Sequence, residues 1–162
     1  MSTVAVTRLI KAPVAEVWRV FTDLPGRRDW LSTVSRVEVQ TGGPFGAGTM
    51  WRETRTMGDV GAEITEEFRV LECVIPERFI VASPGIGAEY RMTYTFVPVL
   101  EGRHRGGTMA TVVQDGAPTA ASGRLLALVF GGLAVRTVEG ALHRDLDDLA
   151  RAAVHPSATG VG

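Results

Sequence analysis

Residues 120–154 read AASGRLLALVFGGLAVRTVEGALHRDLDDLARAAV, and the fold turns on this stretch. It contains no proline. Leu128, Val135, Val138, Leu142, Leu146 and Leu149 fall on one stripe at about 100° per residue, which predicts a helix from about Ala120 to Val154. At 1.5 Å per residue such a helix is about 48 Å long. Gly131-Gly132 interrupts its middle, costs about 1–2 kcal/mol against alanine, and predicts a kink or a close approach. His155-Pro156 ends it, and residues 155–162 read as a flexible tail.

A stripe of this length must be buried against something, and the preceding residues supply a sheet. Thr3 to Ile10 is rich in β-branched residues and reads as a strand. Ala12-Pro13 closes it. Val14, Val17, Trp18 and Phe21 then predict a short helix over about 13–22, and a second short helix carries Trp30 and Leu31 over about 26–32. Strands follow at about 34–41, 49–57, 62–74, 79–83, 88–97 and 108–114. Hairpin-length links join them, with turns at Gly58-Asp59-Val60-Gly61 and Pro84-Gly85-Ile86-Gly87, so the sheet is expected to be antiparallel. Asp115-Gly116-Ala117-Pro118 is expected to stop it. The order is one strand, two short helices, six strands and the long helix. It predicts an α+β chain in which a seven-stranded antiparallel sheet wraps the C-terminal helix. Residues 1–154 are read as a single domain.

Composition narrows the function. The chain has 162 residues, 45% of them hydrophobic and 22% charged, with a formal net charge of -1. That is enough apolar material for a core and too much for a disordered chain. The missing basic excess argues against nucleic acid as a partner. Cys73 is the only cysteine, which excludes an intrachain disulfide, and its apolar surroundings favour a buried structural thiol. No apolar run is long enough for a membrane span, and the N-terminus lacks a signal-peptide layout, so a cytoplasmic location is expected. The histidines, His104, His143 and His155, have no metal-ligand spacing, and neither a metal nor a cofactor is expected. No nucleophile elbow, zinc-protease or phosphate-loop motif occurs. The glycine-rich segment Gly42–Gly48 leads into a strand rather than a helix and reads as a loop.

The stretch Ile10-Lys11-Ala12-Pro13-Val14-Ala15-Glu16-Val17-Trp18, then Phe21-Thr22-Asp23-Leu24 and Trp30, resembles the opening of the START-related, Bet v 1-like superfamily, in particular its polyketide cyclase/dehydrase-like bacterial members. Gly48-Thr49, Glu67, Pro76-Glu77-Arg78-Phe79, Gly106-Gly107-Thr108 and Leu142 to Leu149 continue the resemblance in order over about residues 3–153. It implies a helix-grip fold with a deep, mostly apolar cavity between sheet and helix. It implies no single activity, since members include lipid carriers, hormone binders, chaperone-related modules and aromatase/cyclases.

Alternation then nominates the cavity wall. Tyr90, Met92, Tyr94 and Phe96 share one face. Ile64, Glu66 and Phe68 share a second, with Val70. Trp51, Glu53 and Arg55 share a third with Met57, unless the parity of that strand is reversed and Arg52 faces inward. Leu128, Gly132, Val135 and Glu139 stand opposite on the helix. Glu53, Arg55 and Glu66 read as rim or exposed charges unless an inward carboxylate finds a partner such as Arg55. Trp18 and Trp30 read as packing residues. Asp145, Asp147 and Asp148, with Arg144 and Arg151, read as a solvated helix face. Glu139 and His143, four residues apart, read either as a surface contact or as an acid/base pair.

Three functions remain open. The first is binding of a small hydrophobic or aromatic metabolite, polyketide- or lipid-like, by a monomer or homodimer. The second is a cyclase/dehydrase-type enzyme drawing on Glu139, His143, Glu66 and Tyr94. The third is a chaperone-like or regulatory interaction module.

Overall fold

The computed structural model describes residues 2–57, 61–85, 88–118 and 121–155. The side chains of residues 2, 57, 85, 88, 117, 118 and 121–137 lie outside that description. Strand β1 (Ser2–Ile10) leads into helices α1 (Val14–Thr22) and α2 (Arg27–Trp30). Six strands follow: β2 (Val34–Val39), β3 (Met50–Met57), β4 (Ala62–Val74), β5 (Arg78–Gly85), β6 (Ala88–Pro98) and β7 (Thr108–Pro118). Helix α3 (Ala121–Val154) completes the chain. The strands form one antiparallel sheet in the order β1-β7-β6-β5-β4-β3-β2, so the first strand returns to pair with the last. This is the seven-stranded helix-grip architecture.

Local chemistry explains the ends of the elements. Pro13 caps α1 in an extended conformation, where its missing N–H costs nothing, and Val17, Trp18, Val20 and Phe21 are buried on one face. Helix α2 is a single turn, shorter than expected, and it closes with Leu31 donating its N–H to the Arg27 carbonyl. Gly48 enters β3 at φ 90°, a conformation natural to glycine, and donates to the Val70 carbonyl at 2.8 Å. A Cβ at Gly107 would stand 2.9 Å from the Ile10 carbonyl oxygen, so only glycine fits where β7 begins beside β1.

The sheet runs on through Asp115-Gly116-Ala117-Pro118 rather than stopping before it. Gly116 pairs with both Ser2 and Tyr90, and Pro118 pairs with Ala88. Proline is tolerated there because the described β1 pairs end at Ser2–Gly116, which leaves Pro118 one neighbour. Pro84 is in the same position: it pairs with Glu89 of β6, whereas β5 meets β4 only as far as Ala82, opposite Arg69. Residues 62–68 of β4 therefore pair with β3 alone, and the sheet splays between the two hairpins. The turns at residues 58–60 and 86–87 and the tail from residue 156 lie outside the described residues.

Helix α3 continues through Gly131 and Gly132. Its C-terminal half packs on β1, α1 and α2, burying Leu142, Leu146, Leu149, Ala150 and Ala153. Beneath it an aromatic cluster fills the closed end of the fold. Trp18 meets Phe45, Phe79 and Phe96 edge-to-face at centroid distances of 6.2, 5.6 and 6.0 Å. Phe45 comes from the glycine-rich loop, which thus carries a packing side chain as well as a turn.

The aspartates of α3 are not a uniformly solvated face. Asp148 is buried, accepts hydrogen bonds from the Ser32 backbone N–H (2.9 Å) and hydroxyl (2.8 Å), and pairs with Arg151. It fastens α3 to the end of α2. Asp147 does remain half exposed, 3.0 Å from Arg8. Cys73 is only partly buried, where a buried thiol was expected, and burial pushes its thiol up.

Leu149 is fully buried between α3 and the sheet, whereas Leu71 is exposed on the outer face. Leu149→Ala is expected to cost about 2–5 kcal/mol in urea unfolding, and Leu71→Ala under about 1 kcal/mol. Equal losses would contradict this placement of the core.

Candidate ligand-binding cavity

Between the inner face of the sheet and α3 lies a cavity of about 860 Å³. Phe21, Trp51, Phe68, Phe79, Tyr90 and Tyr94 give it aromatic walls, and Val81, Met92, Val138 and Leu142 add aliphatic surface and sulfur. Ile64, Thr65, Pro84, Gly140 and Arg144 are exposed and form its rim. The splay between β4 and β5 brings Ile64, Thr65 and Glu66 to the same opening as Ser83 and Pro84.

The strand parity on β3 is settled by burial. Trp51 and Glu53 point inward at 3% and 0% exposure, and Arg55 follows them. Arg52 points outward and binds Glu67. Glu53 and Arg55 are therefore interior groups, not rim charges. The Glu53 carboxylate accepts from Arg27 Nε at 2.6 Å and Trp51 Nε1 at 2.8 Å on one oxygen. Its other oxygen accepts from Arg55 Nη2 at 3.0 Å and Nε at 3.3 Å. Arg55 Nη1 meanwhile donates to both oxygens of Asp145, at 2.8 and 3.0 Å, and to Thr33 Oγ1 at 3.3 Å. Arg27 donates to the Phe21 carbonyl and lies 4.8 Å over the Phe21 ring. The chain Arg27–Glu53–Arg55–Asp145 thus ties α2, β3 and α3 together at the inner end of the cavity, with its charges balanced.

Burial and neighbours act on these groups in different directions. For Glu53, desolvation raises the carboxyl, but Arg27, Arg55 and the hydrogen bonds outweigh it and hold the group below its ordinary value. Burial opposes the charge of Arg55, yet Asp145 and Glu53 raise its guanidinium further still. Asp145 is raised by burial, only partly offset by Arg55. Burial also raises the Tyr94 phenol, which stays neutral, with its hydroxyl 3.8 Å from Met92 Sδ. Glu66 is raised by desolvation, and the pull of Arg55 is countered by Glu53 and Asp145.

Of the residues nominated by alternation, Trp51, Arg55, Ile64, Glu66, Phe68, Tyr90, Met92 and Tyr94 stand on the cavity wall. Glu53 lies behind it as the anchor of the ion network. Phe96 is buried in the closed end, in contact with Trp18 and Phe21, and does not reach the wall. Glu139 is exposed with His143, 3.8 Å from it. The cavity-facing stripe of α3 runs through Val138, Ala141, Leu142 and Asp145, and Glu139 points about 110° from its centre at 100° per residue. The side chains of Leu128, Gly132 and Val135 lie outside the described residues. Alternation missed Arg27, hidden in a one-turn helix without periodicity. It also missed Asp145, although Asp145 stands seven residues from Val138 and so shares its face. Among the described residues no group of three or more His, Cys, Asp or Glu is placed to hold a metal ion.

Two charge substitutions are expected to act in opposite senses. Glu53→Gln strands Arg27 and Arg55 in the interior and should cost about 3–5 kcal/mol at pH 7. Because the folded-state pKa of Glu53 is depressed, its contribution is present above its ordinary 4.5 and is lost as pH falls through the folded value. The gap between wild type and Glu53→Gln should therefore narrow in acid. The folded-state pKa of Glu66 is raised, so the cost of ionising it is absent below 4.5 and complete once pH exceeds the folded value. Glu66→Gln should accordingly raise the urea midpoint at pH 7 and lose that advantage in acid. A lower midpoint for Glu66→Gln at pH 7 would contradict this assignment.

Comparison with known proteins bears on the same fold. Residues 1–154 match the family described as polyketide cyclase / dehydrase and lipid transport. No curated protein matches the chain. Solved structures with the same fold include TTHA0849 from Thermus thermophilus, at 23% identity and a TM-score of 0.76 over 97% of this chain and 100% of that one. The Zhui aromatase/cyclase from a Streptomyces species is similar at 18% identity and a TM-score of 0.72, over 99% of each chain. A START superfamily protein from Mycobacterium smegmatis is similar at 12% identity and a TM-score of 0.74, over 94% of this chain and 97% of that one. These likenesses concern the fold, and the family match spans nearly the whole length. The chain belongs to the polyketide cyclase / dehydrase and lipid transport family.

Proposed function

We propose that this chain binds one small apolar molecule with aromatic or polyene character in the cavity between the sheet and α3. The observation that carries the reading is a cavity of about 860 Å³ with aromatic walls, whose interior ion network is already satisfied by protein groups. A volume of this order suits a ligand of two to four fused rings or an equivalent chain. Burial of its apolar surface supplies about 25 cal/mol per Å² before ordering costs are met. Stacking on Phe68, Tyr90 or Tyr94 orients the rings, and Tyr90, Thr33, Gln114 and Glu66 offer polar contacts. Membership in a family whose description joins polyketide cyclases with lipid transport is in keeping with such a ligand.

A second reading, turnover of a poly-ketone ligand, draws on one feature. Glu66 is a half-buried carboxyl on the cavity wall, raised from its ordinary value by desolvation. Enolisation needs a base of this kind beside the substrate carbonyl. Glu139 and His143 face solvent and are not assigned to it. Under this reading Glu66→Gln abolishes turnover while ligand affinity persists.

Titration with the neutral fluorophore N-phenyl-1-naphthylamine tests the binding reading. One saturable site per chain is expected, with enhanced emission. Ala141→Trp places an indole in the cavity from the wall of α3 and is expected to abolish the site. Absence of saturable binding to wild type, or undiminished binding to folded Ala141→Trp, would overturn it.

A further inference from the structure

We propose that Glu66 sets the charge class of the ligand: the cavity accepts uncharged molecules that bring a hydroxyl or amine donor to this carboxyl, and it rejects anions. The inference rests on the binding reading above and deepens it.

Four observations converge. First, the interior arginines are spoken for. All three nitrogens of Arg55 donate to Glu53, Asp145 or Thr33, and Arg27 is engaged by Glu53, the Phe21 carbonyl and the Phe21 ring. An anionic ligand would have to displace a buried carboxylate to reach Arg55, exchanging one ion pair for another and exposing the loser to an apolar wall, and Arg27 is 4% exposed with its charge already matched by Glu53. Second, Glu66 sits directly opposite Glu53 in the β3–β4 register, and both side chains face inward. Like charges in facing positions repel, and although Arg55 attracts Glu66 from nearby, its nitrogens are committed to Glu53, Asp145 and Thr33 and form no hydrogen bond to the Glu66 carboxyl. Third, Glu66 makes no hydrogen bond to any described group and stands on the cavity wall, so its acceptor oxygens are open to a ligand. Fourth, outside the ion network the polar groups that line the cavity, Thr33, Thr56, Ser83, Tyr90 and Gln114, with Thr65 at the rim, are uncharged. The remaining wall cation, Arg144, is exposed at the rim, where solvent screens it.

The consequence is selectivity by repulsion and by an unpaired acceptor. A ligand with a hydroxyl or amine near Glu66 satisfies the carboxyl. A sulfonate or carboxylate in the same place faces two acidic groups at close range in a poorly screened cavity, which weakens binding by about tenfold or more.

Two probes separate this effect from cavity binding itself. N-phenyl-1-naphthylamine and 8-anilino-1-naphthalenesulfonate share one ring system and differ by a sulfonate. Dissociation constants for both are to be measured on wild type, Glu66→Gln and Glu66→Asp at pH 7.5. Wild type and Glu66→Asp are expected to prefer the neutral probe by at least about tenfold. In Glu66→Gln the sulfonate should tighten by about tenfold, while the neutral probe, whose amine exchanges a charged acceptor for a neutral one, should weaken by about two- to fivefold. A sulfonate affinity unchanged by Glu66→Gln, or equal affinities for the two probes in wild type, would overturn the proposal while leaving cavity binding intact. Failure of both probes to bind wild type would overturn the binding reading and this inference with it.

Discussion

The Glu53 carboxylate, removed from solvent and held by Arg27, Arg55 and the Trp51 indole, is the interaction on which the rest of the structure leans. A lone buried carboxylate would cost several kcal/mol, so its neighbours are constrained to stay. Arg27 must point inward, which fixes the single turn of α2. Arg55 must lie along the cavity end, where Asp145 meets it from α3. The sheet and helix are therefore joined at this point by charge, while elsewhere the described half of α3 is held chiefly by apolar contacts and by Asp148 on Ser32.

This arrangement also explains why a cavity persists. In a core packed to ordinary density the aromatic side chains of β4–β6 would meet the helix directly. Here the ion network props α3 at its Asp145 end, and β4 parts from β5 beyond Arg69 and Ala82. The walls are left facing one another across space. The network spends its charges on itself, and Glu66 is the interior carboxyl left without a hydrogen bond among the described residues. The cavity is thus apolar by lining and acidic by remainder.

Much of this was legible in the residues. Period-2 alternation in Tyr90-Arg91-Met92-Thr93-Tyr94 and in Ile64 to Phe68, and the stripe through Leu142, Leu146 and Leu149, define both faces of the fold. Most of the sheet's share of the wall follows from that alternation alone. Other features were hidden for physical reasons. Arg27 lies in a four-residue helix, too short for any periodicity to show its face. Asp145 sits in a run of acidic and basic residues that normally signals solvent, and only its distant partner Arg55 draws it inward. Phe96 obeys the alternation, but the closed end of the fold has filled around it. Pro118 looks like a strand terminator because the sequence does not reveal that, among the described residues, it pairs with β6 alone.

The account's central claim is that the space between sheet and α3 is a binding site built around an intact, self-neutralised ion network. The crystal structure of the protein grown with N-phenyl-1-naphthylamine tests it most directly. The account predicts ring density between Phe68, Tyr90 and Val138, with the Arg55–Asp145 and Arg27–Glu53 pairs unchanged and the amine directed toward Glu66. Density confined to the outer surface, or a ligand seated only after those ion pairs have opened, would contradict it.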